Sequence, residues 1–374
     1  MIFRKKGPKI LLSGYYGFDN CGDEAILLAI IHCLKRLRAD ARITVLSDKP
    51  EKTEALYGVK AVNRWGFAAV LRELLTCRLL ISGGGSLIQD VTSVKSPKYY
   101  LAVILGALLL GKKVMIYGQG VGPLTNKSNR AWATRLLNRC HEISVRDAKS
   151  AEVLRELGVT RDIKLACDPV MAMSYEDVDR GAIRNILQEM NILDSTGRKQ
   201  KPLMIAAIRS WKENKHMAPV AELLDSQARL GWDVLLVPAH FPADMEAVNE
   251  IGNFMSERLY CIGQSLTAYQ FLALSAYADR VFSMRLHGLI TAMAMGAPML
   301  ALSYDPKVTA FMEQAGLARY CLTYDDFDWE TAEYLLEEME ASPLESRQEQ
   351  EKRRREMQAQ AWGLAQIAIG LVEK

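Results

Sequence analysis

The stretch from Ala278 to Ser303 constrains the fold most tightly. Ala278-Asp-Arg-Val-Phe-Ser283 reads as a short buried strand and Met299-Leu-Ala-Leu-Ser303 as another, so the segment between them is a crossover of the kind that joins parallel strands. Gly288, Thr291, Ala292, Ala294 and Gly296 keep its helix small-sided, which lets the helix backbone approach the sheet closely. Arg285 and His287 stand where the strand ends and the helix begins. The first N–H groups of a helix have no partner inside it, so a helix start flanked by an arginine and a histidine attracts anions. In open α/β sheets ligands bind outside the carboxyl ends of the strands. A structural role is the alternative: Arg285 pairing with a carboxylate and His287 capping the helix.

The same unit recurs along the chain. Lys9-Ile-Leu-Leu-Ser13 is a strand that enters Gly14-Tyr-Tyr-Gly-Phe-Asp-Asn-Cys-Gly-Asp23, followed by a helical apolar period over 24–38 and the strand Arg42-Ile-Thr-Val-Leu-Ser47. Glycines at 14, 17 and 22 lack the spacing of a dinucleotide fingerprint. A wide loop bearing Tyr15, Tyr16, Gly17, Asn20 and Asp23 suits a hydroxyl-rich ligand better, through amide, carboxylate and aromatic surface. Cys77-Arg-Leu-Leu-Ile-Ser82 runs into Gly83, Gly84 and Gly85, and Lys113-Val-Met-Ile-Tyr117 into Gly118-Gln119-Gly120, each predicting glycine-rich backbone with N–H groups open to a ligand. The strand Glu142-Ile-Ser-Val-Arg-Asp147 delivers Arg146, with pairing to Asp147 or Asp168 as the structural alternative.

Strands over 203–208 and 232–237 lead to Arg209, Trp211, Lys212 and His240, so the second half presents more cations at its strand ends. Asp194-Ser-Thr-Gly-Arg-Lys-Gln-Lys-Pro202 reads as a linker by composition. The expected division is an amino-terminal α/β domain over 1–175, a second over 176–345 and a carboxyl-terminal helix over 346–374. After Lys307 the chain reads as helical, and Glu351-Lys-Arg-Arg-Arg355 as a solvated helix face.

With 374 residues and 49% apolar side chains, the chain can bury two full cores. A net charge of +3 without a basic block interleaved with aromatics argues against nucleic acid. Seven cysteines without a CxxC pair suit neither a disulfide framework nor a zinc site, and read as reduced packing residues in a cytoplasmic protein. The basic stretch Met1 to Pro8 leads into a strand rather than an apolar signal core, so no export is expected. The apolar run from Tyr99 to Leu110 is shorter than the roughly 20 residues a membrane span needs. It reads as a core helix, with peripheral membrane contact through its tyrosines, Lys112 and Lys113 as the alternative.

The two-domain plan resembles the GT-B architecture, which implies two Rossmann-like domains facing a central cleft. Within it, Gly14 to Glu24, Gly83-Gly-Gly-Ser86, Tyr117-Gly-Gln-Gly-Val-Gly-Pro123, Ser144-Val-Arg-Asp147, Cys167-Asp-Pro-Val170 and Met284-Arg-Leu-His-Gly-Leu-Ile290 resemble the polysaccharide pyruvyl transferase family. The likeness is strongest to its bacterial secondary-cell-wall branch, which serves surface-layer anchoring. The resemblance implies transfer of pyruvyl from phosphoenolpyruvate, as co-substrate, to two sugar hydroxyls; that chemistry requires no metal, the sequence shows no ligand cluster for one, and no other cofactor is expected. The implied acceptor is β-N-acetylmannosamine on a lipid diphosphate, modified at O4 and O6 at the inner face of the membrane. It places Arg146, His287 and Lys307 among the phosphoenolpyruvate-binding and catalytic residues.

Our assignment adds Arg209, Arg285 and Gly288 to the donor side. Tyr16, Gly17, Asn20, Asp23, Gly84, Gly85 and Gln119 go to the acceptor side. Phosphoenolpyruvate carries a carboxylate and a phosphate that fixed cations would orient, and addition at C2 needs a proton at C3, which histidine can supply near neutrality. Two alternatives remain. A nucleotide-sugar GT-B enzyme would want a carboxylate near Arg285 and His287, where the sequence offers none before Asp305. A non-catalytic protein binding sugar or phosphate is the other.

Overall fold

The computed structural model describes residues 7–91, 93–341 and 344–373. Most of the basic amino-terminal stretch, Met1 to Lys6, lies outside the described residues, as does Lys374. Short runs rich in Val, Ile and Leu form two all-parallel sheets whose central strands are buried on both faces, as such runs are when helices cover both sides.

The first sheet holds β1 (Lys9–Ser13), β2 (Arg42–Ser47), β3 (Lys60–Asn63), β4 (Leu79–Gly83), β5 (Lys113–Gln119), β6 (Glu142–Val145) and β7 (Ile163–Leu165). Their spatial order is β3-β2-β1-β4-β5-β6-β7. The helices between them are α1 (Cys21–Leu37), α2 (Pro50–Tyr57), α3 (Phe67–Thr76), α4 (Ser96–Leu109), α5 (Lys127–Leu137) and α6 (Ala148–Glu156). Local signals set their ends. Pro50 opens α2 and Gly58, at φ 62°, stops it, while the Asp147 side chain caps α6 by accepting from the Ser150 amide at 2.7 Å. In α4 the residues Tyr100, Leu101, Val103, Ile104 and Ala107 are buried, which makes it a core helix.

The second sheet follows α7 (Gly181–Glu189). It holds β8 (Leu203–Ala207), β9 (Asp233–Leu236), β10 (Leu259–Cys261), β11 (Arg280–Ser283), β12 (Met299–Ser303) and β13 (Cys321–Thr323), ordered β10-β9-β8-β11-β12-β13. Its helices are α8 (Met217–Arg229), α9 (Met245–Phe254), α10 (Ala268–Tyr277), α11 (Leu286–Met295), α12 (Pro306–Gln314) and α13 (Trp329–Glu340), and α14 (Leu344–Glu373) closes the described chain. Both strand orders reverse once, between β1 and β4 and between β8 and β11. Such a reversal leaves a crevice at the strand carboxyl ends. The sequence reading took everything after Lys307 as helical; β13 was missed because three residues are too short to show a period.

The chain clusters into two units. One contains the chain up to Phe18, Ile26–Ala172 and the part from Met357; the other contains Asp19–Ala25 and Met173–Glu356. The supposed linker after Asp194 is a built turn within the second unit. The Asp194 carboxylate accepts from the Thr196 and Arg198 amides at 2.8 and 2.9 Å. In the first unit α14 is anchored by Trp362, whose indole donates to the Ala172 carbonyl at 3.0 Å. The basic run on α14 is paired rather than free: Arg354 and Arg355 each reach Glu351 at 2.7 Å. Arg354 also donates to the Ala294 carbonyl at the end of α11. Among the described residues no helix is long and apolar enough to cross a membrane.

Candidate functional site

In the second unit, parallel pairing sets Ser283 beside Ala207 and Ala301, so the residues after β8, β11 and β12 emerge side by side. Arg209 follows β8, Arg285 and His287 follow β11, and Tyr304 and Lys307 follow β12. Arg285 is the residue that caps α11, and His287 lies in its first turn. Asp305 caps α12 and accepts from the Lys307 amide at 2.9 Å. The fold thus gathers Arg209, Arg285, His287 and Lys307, four donor-side residues of the sequence reading, at one edge of one sheet.

Their environments differ. Arg209 donates through Nη1 to the Tyr304 hydroxyl at 2.9 Å, and its guanidinium lies 4.9 Å from the Tyr304 ring centroid and 5.6 Å from that of Trp211. It is a half-buried cation held by aromatic faces. Arg285 instead grips Asp244, through Nε to Oδ2 at 3.0 Å and through Nη2 to Oδ1. Asp244 is buried and also accepts from the His240 amide at 2.9 Å. The sequence reading found no carboxylate near Arg285 before Asp305. The loop after β9 supplies one from 41 positions upstream, and no local pattern announces it.

Gly288 serves packing. Its N–H is held by the Arg285 carbonyl at 2.9 Å, and an added Cβ would lie 2.5 Å from Ser283 Oγ. Expected on the donor side, it lets α11 lie close against Ser283 at the end of β11.

Asn20 and Asp23 are expected on the acceptor side of the first domain, yet Asp23 lies in the first turn of α1 and Asp19–Ala25 clusters with the second unit. Asn20 turns its side chain back to accept from the Gly22 amide at 3.0 Å. Gly22 presses on the His287 imidazole: an added Cβ would lie 2.1 Å from Nδ1. Cys21, buried beside it, donates to the Leu266 carbonyl at 3.4 Å, and burial pushes its thiol up to about 12.

In the first unit the glycine loops form the rim of β1, β4 and β5, but several of their amides are engaged. Gly84 N–H donates to the Tyr117 carbonyl at 3.0 Å and Gly120 N–H to the Gly85 carbonyl at 2.9 Å. Tyr16 and Gln119, expected to face the acceptor, are 1% and 0% exposed. The Tyr16 hydroxyl donates to the Gly83 carbonyl at 2.9 Å, and Gln119 Nε2 to Ser82 Oγ at 2.9 Å, so both hold the rim from beneath. Gly17 adopts φ 84° at a turn, and Gly85 φ 65°. Tyr15 is the exposed aromatic of this loop, stacked on Phe18 at 4.1 Å.

Arg146 is buried. Its Nη1 reaches Asp168 Oδ2 at 2.9 Å and its Nη2 reaches Ser86 Oγ at 3.2 Å, with Asp147 farther at 3.7 Å. Of the two partners weighed from sequence, Asp168 is the close one.

Sequence reasoning missed Arg64. This buried cation donates to the Gly14 carbonyl at 3.1 Å and lies over the Tyr99 ring at 4.1 Å, tying the first loop to α4. The aromatic pairs around it, Tyr99-Tyr100 and Trp65, were the available signal. Among the described residues no group of three or more His, Cys, Asp or Glu side chains is placed to hold a metal.

The solved UDP-GlcNAc 2-epimerase of Neisseria meningitidis bound to UDP-GlcNAc is 12% identical, with a TM-score of 0.60 over 98% of this chain and 100% of that one. A glycosyltransferase from Rickettsia africae is 11% identical, with a TM-score of 0.63 over 98% of each chain. These likenesses show the fold: two Rossmann-like α/β domains of the GT-B class. The amylovoran biosynthesis protein AmsJ of Erwinia amylovora is 21% identical over 363 residues, covering 83% of this chain and 86% of that protein. The family model for polysaccharide pyruvyl transferase matches residues 20–306, which is most of the chain and includes Arg209, Arg285 and His287, with Lys307 one position beyond the match. The chain belongs to the polysaccharide pyruvyl transferase family.

Proposed function

We propose that the protein transfers a pyruvyl group from phosphoenolpyruvate to O4 and O6 of a sugar as a cyclic ketal. The proposed acceptor is β-N-acetylmannosamine in a lipid-diphosphate-linked precursor, as in the secondary-cell-wall branch that the motifs resemble. Family membership supports pyruvyl transfer in polysaccharide synthesis. The observation that carries the donor assignment is the gathering of Arg209, His287 and Lys307 after neighbouring strands β8, β11 and β12.

In this reading Arg209 and Lys307 neutralise the donor's carboxylate and phosphate, and His287 protonates C3. Arg146 is assigned to the donor by the resemblance of Ser144-Val-Arg-Asp147. Protonation leaves C2 oxocarbenium-like; one sugar hydroxyl adds there, the bond from C2 to the phosphate oxygen breaks, and the second hydroxyl closes the ring. Of the two hydroxyl protons released, one balances the proton delivered to C3 and the other leaves with phosphate. Arg285 contributes through position: with its fork on Asp244, it fixes the start of α11 and so His287.

The test is incubation with phosphoenolpyruvate and a synthetic lipid-linked disaccharide containing β-N-acetylmannosamine, followed by mass spectrometry for the ketal and assay of released phosphate. Parallel titrations with phosphoenolpyruvate and a nucleotide diphosphate-sugar separate the readings. Turnover of the nucleotide sugar, or tight donor binding without product, would replace this proposal with a glycosyltransferase or a binding protein.

A further inference from the structure

The outer face of α3 is apolar where a surface helix ordinarily carries charge. Phe67, Leu71 and Leu75, four residues apart, are 81%, 38% and 53% exposed, while Leu74 packs into the core beneath. Trp65, just before α3, and Leu109, at the end of α4, are 63% and 73% exposed and extend this surface. The two helices pack against each other, and Lys112 after α4 donates to the Leu75 carbonyl at 2.7 Å, which brings their carboxyl-terminal ends together.

Along the part of the chain that carries this stripe the exposed charges are of one sign, and the carboxylate at its margin, Asp48, is engaged by the Trp65 indole at 3.2 Å. Between Arg64 and Lys113 the acidic residues are Glu73 and Asp90, and both are buried and engaged, Glu73 by Lys9 and Lys60 and Asp90 by the Thr125 and Asn126 amides. Every exposed charge in that stretch is therefore a cation, among them Arg72, Arg78, Lys95 and Lys98.

We propose that this α3 face docks on an anionic lipid surface, its apolar stripe entering the headgroup boundary while the surrounding cations meet lipid phosphates. A second copy of the chain fits less well, because a twofold contact would set these cations against themselves. The proposal rests on the surface alone and does not require pyruvyl transfer.

The full chain is sedimented with vesicles of phosphatidylcholine containing about a third phosphatidylglycerol, and with pure phosphatidylcholine vesicles. Neither contains a sugar acceptor, so the outcome is independent of the reaction. Binding to the anionic vesicles should be at least about tenfold tighter than to neutral ones and should weaken as salt rises. Phe67→Ser with Leu71→Ser should lower it about tenfold, and Arg72→Gln with Lys98→Gln should remove much of its salt dependence. These positions are exposed, and unchanged circular dichroism and melting confirm that the variants fold. Failure of the native chain to bind, or equal binding by the Phe67→Ser, Leu71→Ser variant, would overturn the proposal. So would lipid-free self-association that this variant abolishes, which would make the face a contact between copies.

Discussion

Gly22 and His287, 265 positions apart, are in direct contact: a methyl group on Gly22 would lie 2.1 Å from Nδ1 of the imidazole and 2.4 Å from Cγ. Real Cβ atoms do not approach that closely, so Gly22→Ala must turn the ring away. The ring ends a side chain with two torsions, so it can swing without unfolding α11. Gly22→Ala should therefore keep a near-native melting temperature yet lose turnover by a factor close to that of His287→Gln, about 10²–10⁴ for a displaced general acid. Steady-state rates beside thermal melts check this. Native turnover in a folded Gly22→Ala protein would remove His287 from the chemistry.

This contact marks where the sequence stops being legible. Buried apolar runs announced both sheets and, at their ends, the positions of Arg209, Arg285, His287 and Lys307, while glycine marked the turns of the first sheet, because burial and turn chemistry are written locally. What stayed hidden was pairing across distance. Asp244 reaches Arg285 from a different crossover, and Gly22 meets His287 from the opposite end of the chain. Tyr16 and Gln119 misled for a related reason. Loop composition says that a polar side chain is near a rim, while only the fold tells whether it faces out or, as here, hydrogen-bonds Gly83 and Ser82 from below.

His287 and Lys307 should fail differently. An ammonium that clamps an anionic donor acts in the ground state as well as the transition state, so Lys307→Met should weaken phosphoenolpyruvate binding and turnover together. A proton donor acts chiefly in the transition state. His287→Gln should bind the donor with near-native affinity, turn over about 10²–10⁴-fold more slowly and lose the pH dependence that the imidazole gives kcat. Calorimetric donor titration beside single-turnover rates across pH separates the two. Lost donor affinity in His287→Gln with a normal rate at saturation would make His287 an anchor.

Asp244 and Arg285 should behave as one unit. Removing Arg285 leaves the buried Asp244 carboxylate without its countercharge, at a cost of up to about 3–5 kcal/mol, while removing Asp244 leaves a partly exposed Arg285 that water can reach. Arg285→Ala should lower the urea midpoint more than Asp244→Ala, and the double variant should be less destabilised than their sum. Strictly additive losses would mean that the pair contributes nothing as a pair.

Glu73 gives a signed prediction about acid. Its carboxylate, on the inner side of α3, lies 2.5 Å from both Lys9 and Lys60. Burial alone would raise its pKa, but the hydrogen bonds and charges of Lys60 and Lys9 outweigh it and hold the group below the usual carboxylate value. A folded pKa below the unfolded one means that the ionised group stabilises the fold above the ordinary carboxylate range, and that this stabilisation is lost as pH falls through the folded pKa. Glu73→Gln cannot ionise, so it should be less stable than the native chain by about 1–2 kcal/mol near neutrality. That difference should shrink steadily as the medium is taken to about pH 3. Urea midpoints of both proteins measured across that range are the check. A gap that stays constant with pH would show that the two lysines do not stabilise the ionised form, and that α3 is held to the sheet by its apolar inner face alone.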